Sequence, residues 1–309
     1  MSKSNPTFSI ITPVYNGEDF IRDTVDSVLS SSAHQDCEYI VINDGSTDKT
    51  LEILQEYGDR ISVITQVNSG ESAAVNLGID LSLGKFLLVV SADDPLFTSE
   101  IFEGIFDEFR KNEALVAIYP DWQIIDSDGR VLEVKRLPDF SIKEFLGKNI
   151  VLPGPGTIFR RDAALKILGR NAKWKFVGDY DFWLRLSDIG EIKHRPQILA
   201  QWRTHGGSTS VSRRSAAMAL ERIGVIEEYL GKTKLNHPNK IKRMALGNAY
   251  SLAARLIFFD SKVPGKKLLW KAFWERRWWP ERLSVVQAGF IILYPISRFD
   301  FPLIRRFFS

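Results

Sequence analysis

Two adjacent carboxylates, Asp93 and Asp94, stand directly behind an apolar run, Phe86-Leu87-Leu88-Val89-Val90, and in front of Pro95. Aliphatic and β-branched residues bounded by Gly84 and Pro95 predict a strand buried on both faces, with Ser91, Ala92 and the two acids emerging at its carboxyl end. In open α/β sheets ligands bind at that end, so the place of the acids matters more than their number. An acidic pair there can hold a hard divalent cation, which is a common grip on a diphosphate. Asp-Asp-Pro after a strand is equally ordinary turn chemistry, and on these residues alone the two readings balance.

A second acidic pair lies in Val177-Gly178-Asp179-Tyr180-Asp181-Phe182-Trp183-Leu184-Arg185-Leu186. Phe182, Trp183, Leu186 and Ile189 make one apolar helix face, which puts Asp179 and Asp181 at or before the first turn. Carboxylates there cap a helix and suit its dipole. A carboxylate on an apolar-backed helix end can also act as a general base toward a sugar hydroxyl. Downstream, Trp202-Arg203-Thr204-His205-Gly206-Gly207-Ser208 leaves a strand for a polar loop. His205 is a candidate contact for diphosphate or metal, or a plain surface histidine.

The elements that must position these groups alternate. Phe8 to Val14 reads as a strand, followed by the turn Tyr15-Asn16-Gly17-Glu18 and a helix carrying Phe20, Ile21, Val25, Val28 and Leu29. Glu38 to Ile42 is a second strand, stopped by Asn43-Asp44-Gly45-Ser46-Thr47-Asp48. Leu51 to Tyr57 is a helix ended by Gly58. Ile61 to Val67 is a third strand, meeting Asn68-Ser69-Gly70 before a helix with Ala74, Leu77 and Leu81. Such alternation means a parallel sheet with right-handed crossovers, so four polar loops collect on one edge. Small hydrogen-bonding residues there suit a nucleotide. Beyond Pro95 the alternation stops. Ile101 to Phe109 reads as a helix, Ala117 to Ile125 and Val131 to Lys135 as a hairpin turned at Asp126-Ser127-Asp128-Gly129, and Thr157 to Arg160 as a further strand. This mixed-sheet half is where a second substrate would lie, with Pro153-Gly154-Pro155-Gly156 beside it.

Neither Gly-x-Gly-x-x-Gly nor Gly-x-x-x-x-Gly-Lys-Ser/Thr follows the first strand, so phosphates need a positive partner other than a glycine cradle. The chain has 309 residues, is 44% hydrophobic and 12% aromatic, and so has ample material for a core. Its single cysteine, Cys37, excludes an internal disulfide and a cysteine zinc site, in keeping with a reducing compartment. The net charge of +3 conceals a segregation. From residue 210 onward 19 Lys and Arg stand against seven Asp and Glu, while residues 1–209 hold 22 against 31. A basic end is a candidate for anionic surfaces.

Taken in order, the loops resemble those of the family-2 glycosyltransferases of the GT-A fold. The matching residues are Thr12-Pro13-Val14-Tyr15-Asn16, Val41 to Thr50, Asn68-Ser69-Gly70 with Ala73, Asn76 and Gly78, Ser91-Ala92-Asp93-Asp94, Gly178 to Arg185, and Arg203-Thr204-His205. Any one motif is weak, and six in the right order are specific. The resemblance implies a Rossmann-like mixed α/β sheet flanked by helices over residues 1–210, which bind the nucleotide-sugar and carry catalysis, and a basic, aromatic-rich helical region over 211–309. It implies nucleotide contacts from Pro13, Tyr15, Asn16, Asp44, Asn68, Ser91, Ala92 and Asp93. Mg2+ or Mn2+ would sit on Asp93 with His205 as a metal or phosphate contact, Asp179 would be the base, and Asp94 and Asp181 would be acceptor-side or second carboxylates. Transfer would invert the anomeric centre, moving a sugar from a nucleotide-diphosphate donor to a saccharide or lipid-linked hydroxyl in polysaccharide or glycolipid assembly. A non-catalytic nucleotide-sugar-binding protein is the alternative, and no nucleic-acid partner is expected. Ser91, Asn43 and Gly178 depart from the family's frequent Asp, Asp and Glu, and none of these changes removes a carboxylate that the mechanism needs.

Toward the C-terminus Trp270, Phe273, Trp274 and Trp278 recur among Lys266, Lys267, Lys271, Arg276, Arg277 and Arg282, and Val285 to Tyr294 is apolar but too short to span a bilayer. A basic, tryptophan-bearing amphipathic segment can lie in the headgroup layer of an anionic membrane, or pack on the catalytic part or on a second subunit of a homo-oligomer. With no signal-peptide core after Met1, the expected place is the cytoplasm, with peripheral contact at the inner face of the plasma membrane.

Overall fold

The computed structural model describes residues 5–32, 36–147, 153–206, 215–233, 235 and 238–260. Four parallel strands come first: β1 (Phe8–Val14), β2 (Cys37–Asn43), β3 (Ser62–Thr65) and β4 (Phe86–Val89), connected by α1 (Ile21–Ser32), α2 (Thr50–Gln55) and α3 (Glu71–Leu81). All seven residues of β1 are buried, because helices cover both faces. Ile10 and Val14 pack with Ile21, Val25 and Val28 of α1 on one side, and Ile11 packs with Val75 and Ile79 of α3 on the other. The predicted alternation in this half is therefore present, with β3 shorter than expected.

The second half departs from a simple continuation. The stretch read as one helix from Ile101 to Phe109 is a 3-10 turn (Ser99–Phe102) and α4 (Ile105–Lys111), separated by Gly104 at φ +69°. A left-handed residue cannot continue a right-handed helix, and glycine adopts it at least cost. Next come β5 (Leu115–Ile125), β6 (Val131–Lys135), α5 (Ile142–Gly147), β7 (Ile158–Arg160), α6 (Arg161–Lys166), α7 (Gly178–Ser187) and β8 (Glu191–Arg203). The sheet order is β3-β2-β1-β4-β7-β5-β6, with β8 along the free side of β5. Strand β7 is antiparallel to both β4 and β5, so β5 and β8 run in the same direction as β1 to β4. A bridge between Leu96 and Ala200 then draws the loop after β4 against the end of β8.

The helices α8 (Ser215–Lys232) and α9 (Asn239–Asp260) complete the described chain. Ile223, Ile226, Ala245, Ala249 and Ala253 join the same buried cluster as Phe145 of α5 and Tyr180 and Trp183 of α7, so these helices share the core of the sheet half. No helix among the described residues is long and apolar enough to cross a membrane. The basic tryptophan segment around Trp270 to Trp278 lies outside the described residues.

Candidate active site

The chain turns sharply after β4, with the Asp94 N–H donating to the Ser91 carbonyl at 3.1 Å. The two acids diverge there. Asp94 turns inward and is buried, its Oδ1 accepting the Arg203 N–H at 2.8 Å, and the Ser91 hydroxyl also bonds its carboxylate. Burial, reinforced by the charge of Asp93, pushes the Asp94 carboxyl well above its ordinary value. Asp93 keeps partial access to solvent, and its Oδ2 lies 3.0 Å from Nε2 of His205. The ring of His205 packs on Phe20 at 4.6 Å between centroids, and the Arg203 guanidinium stacks 4.7 Å over the same Phe20 ring. Phe20 looked in sequence like one more apolar helix position. It precedes α1 and serves as the platform of this corner.

The loops after β1 and β2 are tied to each other. Asn16, at φ +51°, accepts the Thr47 N–H on its Oδ1 at 2.8 Å and donates its own N–H to the Ser46 hydroxyl at 3.0 Å. Tyr15 beside it is exposed, while Pro13 is buried within β1 opposite Ile42. Asp44 is buried, with Oδ1 accepting from Gln66 Nε2 (2.6 Å) and the Ser69 N–H (2.8 Å) and Oδ2 accepting the Gly70 N–H (2.8 Å). A carboxylate offers about four lone-pair positions, and three of those of Asp44 hold the β3–α3 loop. Asn68, in that loop, is exposed, and Ala92 packs at the margin of the α1-side core with its carbonyl accepting from Thr24 Oγ1.

Asp179 is placed by a close approach. A Cβ at Gly178 would sit 2.4 Å from the Ser72 hydroxyl, so the start of α7 lies close against the start of α3, at the edge where the parallel strands end, and a larger residue would have to displace that hydroxyl. Asp179 keeps partial solvent access there, and its Oδ1 accepts the Tyr180 N–H at 2.7 Å. Burial raises its carboxyl above the usual carboxylate range, opposed by the Arg170 charge and assisted by that of Glu71. Asp181 points the other way. It is buried and paired with Arg185 at 2.7–2.8 Å, and Arg185 also donates to the carbonyls of Ile167 and Gly169. Its carboxyl is likewise raised by burial and lowered by Arg185.

The structure thus brings the sequence candidates Asp93, Ser91, Ala92 and His205 to one corner, Asn16, Asp44 and Asn68 to the adjoining loops, and Asp179 to the rim by α3. It engages Asp94 and Asp181 in internal bonds. A small crevice beside Asp94, lined by Ser91, Pro155, Gly156 and Gln201, continues the corner toward the Pro-Gly loop. Gln66 and Arg170 carry no sequence signal of their own, because what places them is contact with distant loops.

Among the described residues no three His, Cys, Asp or Glu side chains form a self-sufficient metal site. The corner offers one accessible carboxylate with a histidine beside it. That donor set fits Mg2+ or Mn2+, which keep waters and share substrate phosphates and need few protein ligands.

The family model for Glycosyl transferase family 2 matches residues 9–168. An uncharacterized glycosyltransferase of Rickettsia prowazekii is 28% identical over 218 residues, which is 67% of this chain and 66% of that protein. The hyaluronan synthase of Pasteurella multocida is 30% identical over 212 residues, 67% of this chain and 21% of the synthase, so the chain spans about a fifth of that relative's length. In fold, the chain resembles S. aureus TarS 1-349 in complex with UDP-GlcNAc at a TM-score of 0.62 and 17% identity, covering 95% of this chain and 94% of the other. It also resembles a Pyrobaculum calidifontis mannosyltransferase in complex with GDP-Man and Mn2+, at 0.57 and 11% identity, covering 95% and 80%. The mixed sheet is that of a GT-A fold with a helical C-terminal region, and the chain belongs to glycosyltransferase family 2.

Proposed function

We propose that this protein moves a sugar from a nucleoside-diphosphate donor to a hydroxyl acceptor with inversion, in the assembly of a cell-surface polysaccharide or glycolipid. The observation that carries this reading is the division within the two acidic pairs. One carboxylate of each, Asp93 and Asp179, keeps partial solvent access on the same edge of the sheet as the polar loops.

In this reading Tyr15, Pro13, Asn16 and Asn68 flank the nucleoside, and the last lone pair of Asp44 takes a base or ribose N–H or O–H. Ser91 and Ala92 shape the wall beside the diphosphate. Asp93, with His205 behind it, would hold Mg2+ or Mn2+, which would supply positive charge against the diphosphate. Asp179 accepts the acceptor's hydroxyl proton as the oxygen bonds the anomeric carbon. The bond from that carbon to the phosphate oxygen breaks, and its electron pair leaves with the nucleoside diphosphate. A carboxyl raised by burial is a better base near neutral pH than an ordinary one. Asp94 and Asp181 act from behind, as positioning residues. The region from 211 onward, basic by count, would bring the enzyme to an anionic membrane that carries the acceptor.

Melting curves with UDP, UDP-GlcNAc, GDP or GDP-mannose, each with and without Mn2+, test the reading. Occupancy at a hundredfold excess over Kd stabilises by about 2.7 kcal/mol, a rise of several degrees. At least one nucleotide should give that rise, and more with Mn2+. No rise with any of the four would overturn the donor assignment.

A further inference from the structure

Asn16 holds a backbone conformation that few side chains adopt. Its φ of +51° lies in the left-handed region, and the residue is exposed, so what keeps it there is hydrogen bonding. Its Oδ1 accepts the Thr47 N–H at 2.8 Å and the Thr47 hydroxyl at 3.4 Å, and its own N–H donates to Ser46 Oγ at 3.0 Å. Asparagine tolerates this region better than most residues, yet a non-glycine residue stays in it only where its surroundings fix it. The fixing is specific here, and it comes from the loop after the neighbouring strand.

The ties continue along both loops. The Gly17 N–H donates to Thr50 Oγ1 at 2.8 Å, the Glu18 N–H to Asp48 Oδ2 at 3.1 Å, and Glu18 Oε2 accepts the Lys49 N–H at 3.0 Å. Residues 16–18 are thereby fastened to residues 46–50. The ladder between β1 and β2 stops just before them: Val14 pairs with Asn43, and the Asp44 N–H donates to the Val14 carbonyl at 2.8 Å. Tyr15 and Asp44 are therefore next in register, side by side at the strand ends. The Asp44 carboxylate is fixed by its bonds from Gln66, Ser69 and Gly70. Tyr15 is 53% exposed, and what is fixed around it is backbone, with Val14 held by the ladder on one side and Asn16 by its ties on the other.

We infer that Asn16 is a positioning residue for Tyr15: by locking the turn immediately after it to the β2 loop, Asn16 fixes the tyrosine beside Asp44 as one wall of the nucleoside site. This inference rests on the proposed nucleoside-diphosphate donor. A half-exposed ring gives up freedom when it closes on a ligand, and a backbone fixed beforehand lowers that cost. Asn16 acts through Tyr15 and not through a contact of its own carbonyl oxygen with the nucleoside, because that oxygen is committed to Thr47.

Isothermal titration of the full chain with UDP and with GDP, each with and without Mn2+, tests it. Asn16→Gly takes the same positive φ at little cost and deletes the bonds to Thr47. It should bind the nucleotide that wild type binds about tenfold more weakly, the size of one net hydrogen bond, with and without the cation alike. The decisive arm is a double substitution. In a Tyr15→Ala background, Asn16→Gly should weaken binding by less than about a further twofold, since the ring it positions is gone. A tie that serves only the loop would cost the same factor in both backgrounds, so losses that multiply overturn the inference, as does wild-type affinity in Asn16→Gly. If Asn16→Gly does not fold, Ser46→Ala deletes the other tie, and wild-type affinity there overturns it instead. Should wild type bind neither nucleotide, it is the donor reading that falls, and amide exchange still judges the lock. Exchange at residues 15–18 should be faster in Asn16→Gly and slow again in Asn16→Asp, which keeps an acceptor oxygen; unchanged exchange in Asn16→Gly overturns the lock as well.

Discussion

Two pairs of acids, one after β4 and one at the start of α7, divide their work in the same way by different means. In Asp93–Asp94 a tight turn separates the neighbours. Asp94 is swallowed to receive the Arg203 N–H, and Asp93 is left facing solvent with His205. In Asp179–Asp181 the helix separates them, because residues two apart project to different faces. Asp181 goes inward to Arg185, and Asp179 is left at the rim. The inward acid of each pair fastens neighbouring chain: Asp94 accepts from the end of β8, two residues before His205, and Asp181 pairs with Arg185, which holds the carbonyls of Ile167 and Gly169. On the proposed reading, Asp94 and Asp181 are structural and Asp93 and Asp179 do the chemistry.

The sharpest way to break this comparison is Asp179→Asn. Removal of a general base is expected to lower kcat by about a thousandfold, within the usual range for such groups, while nucleotide binding stays within about twofold. The substitution should also stabilise the protein at pH 7–8. A carboxyl whose folded pKa is raised contributes stability that is present below its unfolded value and lost as pH rises through the folded one. The asparagine variant escapes that loss, so the difference in melting temperature should shrink as pH falls toward 4. Unchanged turnover would leave a nucleotide-sugar-binding protein and no base.

Much of this arrangement was legible because burial leaves a periodic trace. The four parallel strands are short apolar runs with polar stops, and each ligand loop follows one of them. The second half hides its sheet. Strand β8 begins Glu191-Ile192-Lys193-His194-Arg195-Pro196, a polar, proline-bearing stretch whose register against β5 shifts, and only its end at Trp202-Arg203 reads as strand. The placement of β7 between β4 and β5 is a pairing that three residues cannot announce. Arg170 is invisible for a related reason: its position comes from Asn76, 94 residues away, and from Arg185 on another helix. Asp44, named from the loop after β2, holds the next loop, between β3 and α3, with three accepted hydrogen bonds.

The inward acid at α7 can be unmasked through its partner. Arg185→Met keeps the apolar stem but leaves the buried Asp181 charge alone and two carbonyls without their donor. Breaking a pair of this burial is expected to cost about 3 kcal/mol at pH 7, measurable by urea unfolding. The loss should diminish as pH falls, because Asp181, already raised by burial, rises further without the guanidinium and takes up a proton. Donor binding to the surviving folded fraction should persist, since Arg185 touches no loop of the β4 corner. A variant as stable as wild type would mean that Asp181 is not the anchor described.

The β4 corner offers the finer contrast, since one substitution there should matter and its neighbour should hardly register. Asp94 already has its carboxyl pushed well above the ordinary range, and one oxygen accepts the Arg203 N–H. The amide oxygen of Asp94→Asn can accept the same bond, so stability should change by less than about 1 kcal/mol and nucleotide affinity by less than about twofold. Asp93→Asn preserves shape and removes the accessible charge beside His205. Binding of UDP or GDP in the presence of Mn2+ should weaken by about tenfold, the effect of one lost charged contact, and binding without Mn2+ should be unaffected. Isothermal titration of both variants, with and without the cation, decides it. If Asp94→Asn were the one to lose cation-dependent binding, the inward and outward acids would have to exchange roles, and His205 would be paired with the structural member of the two.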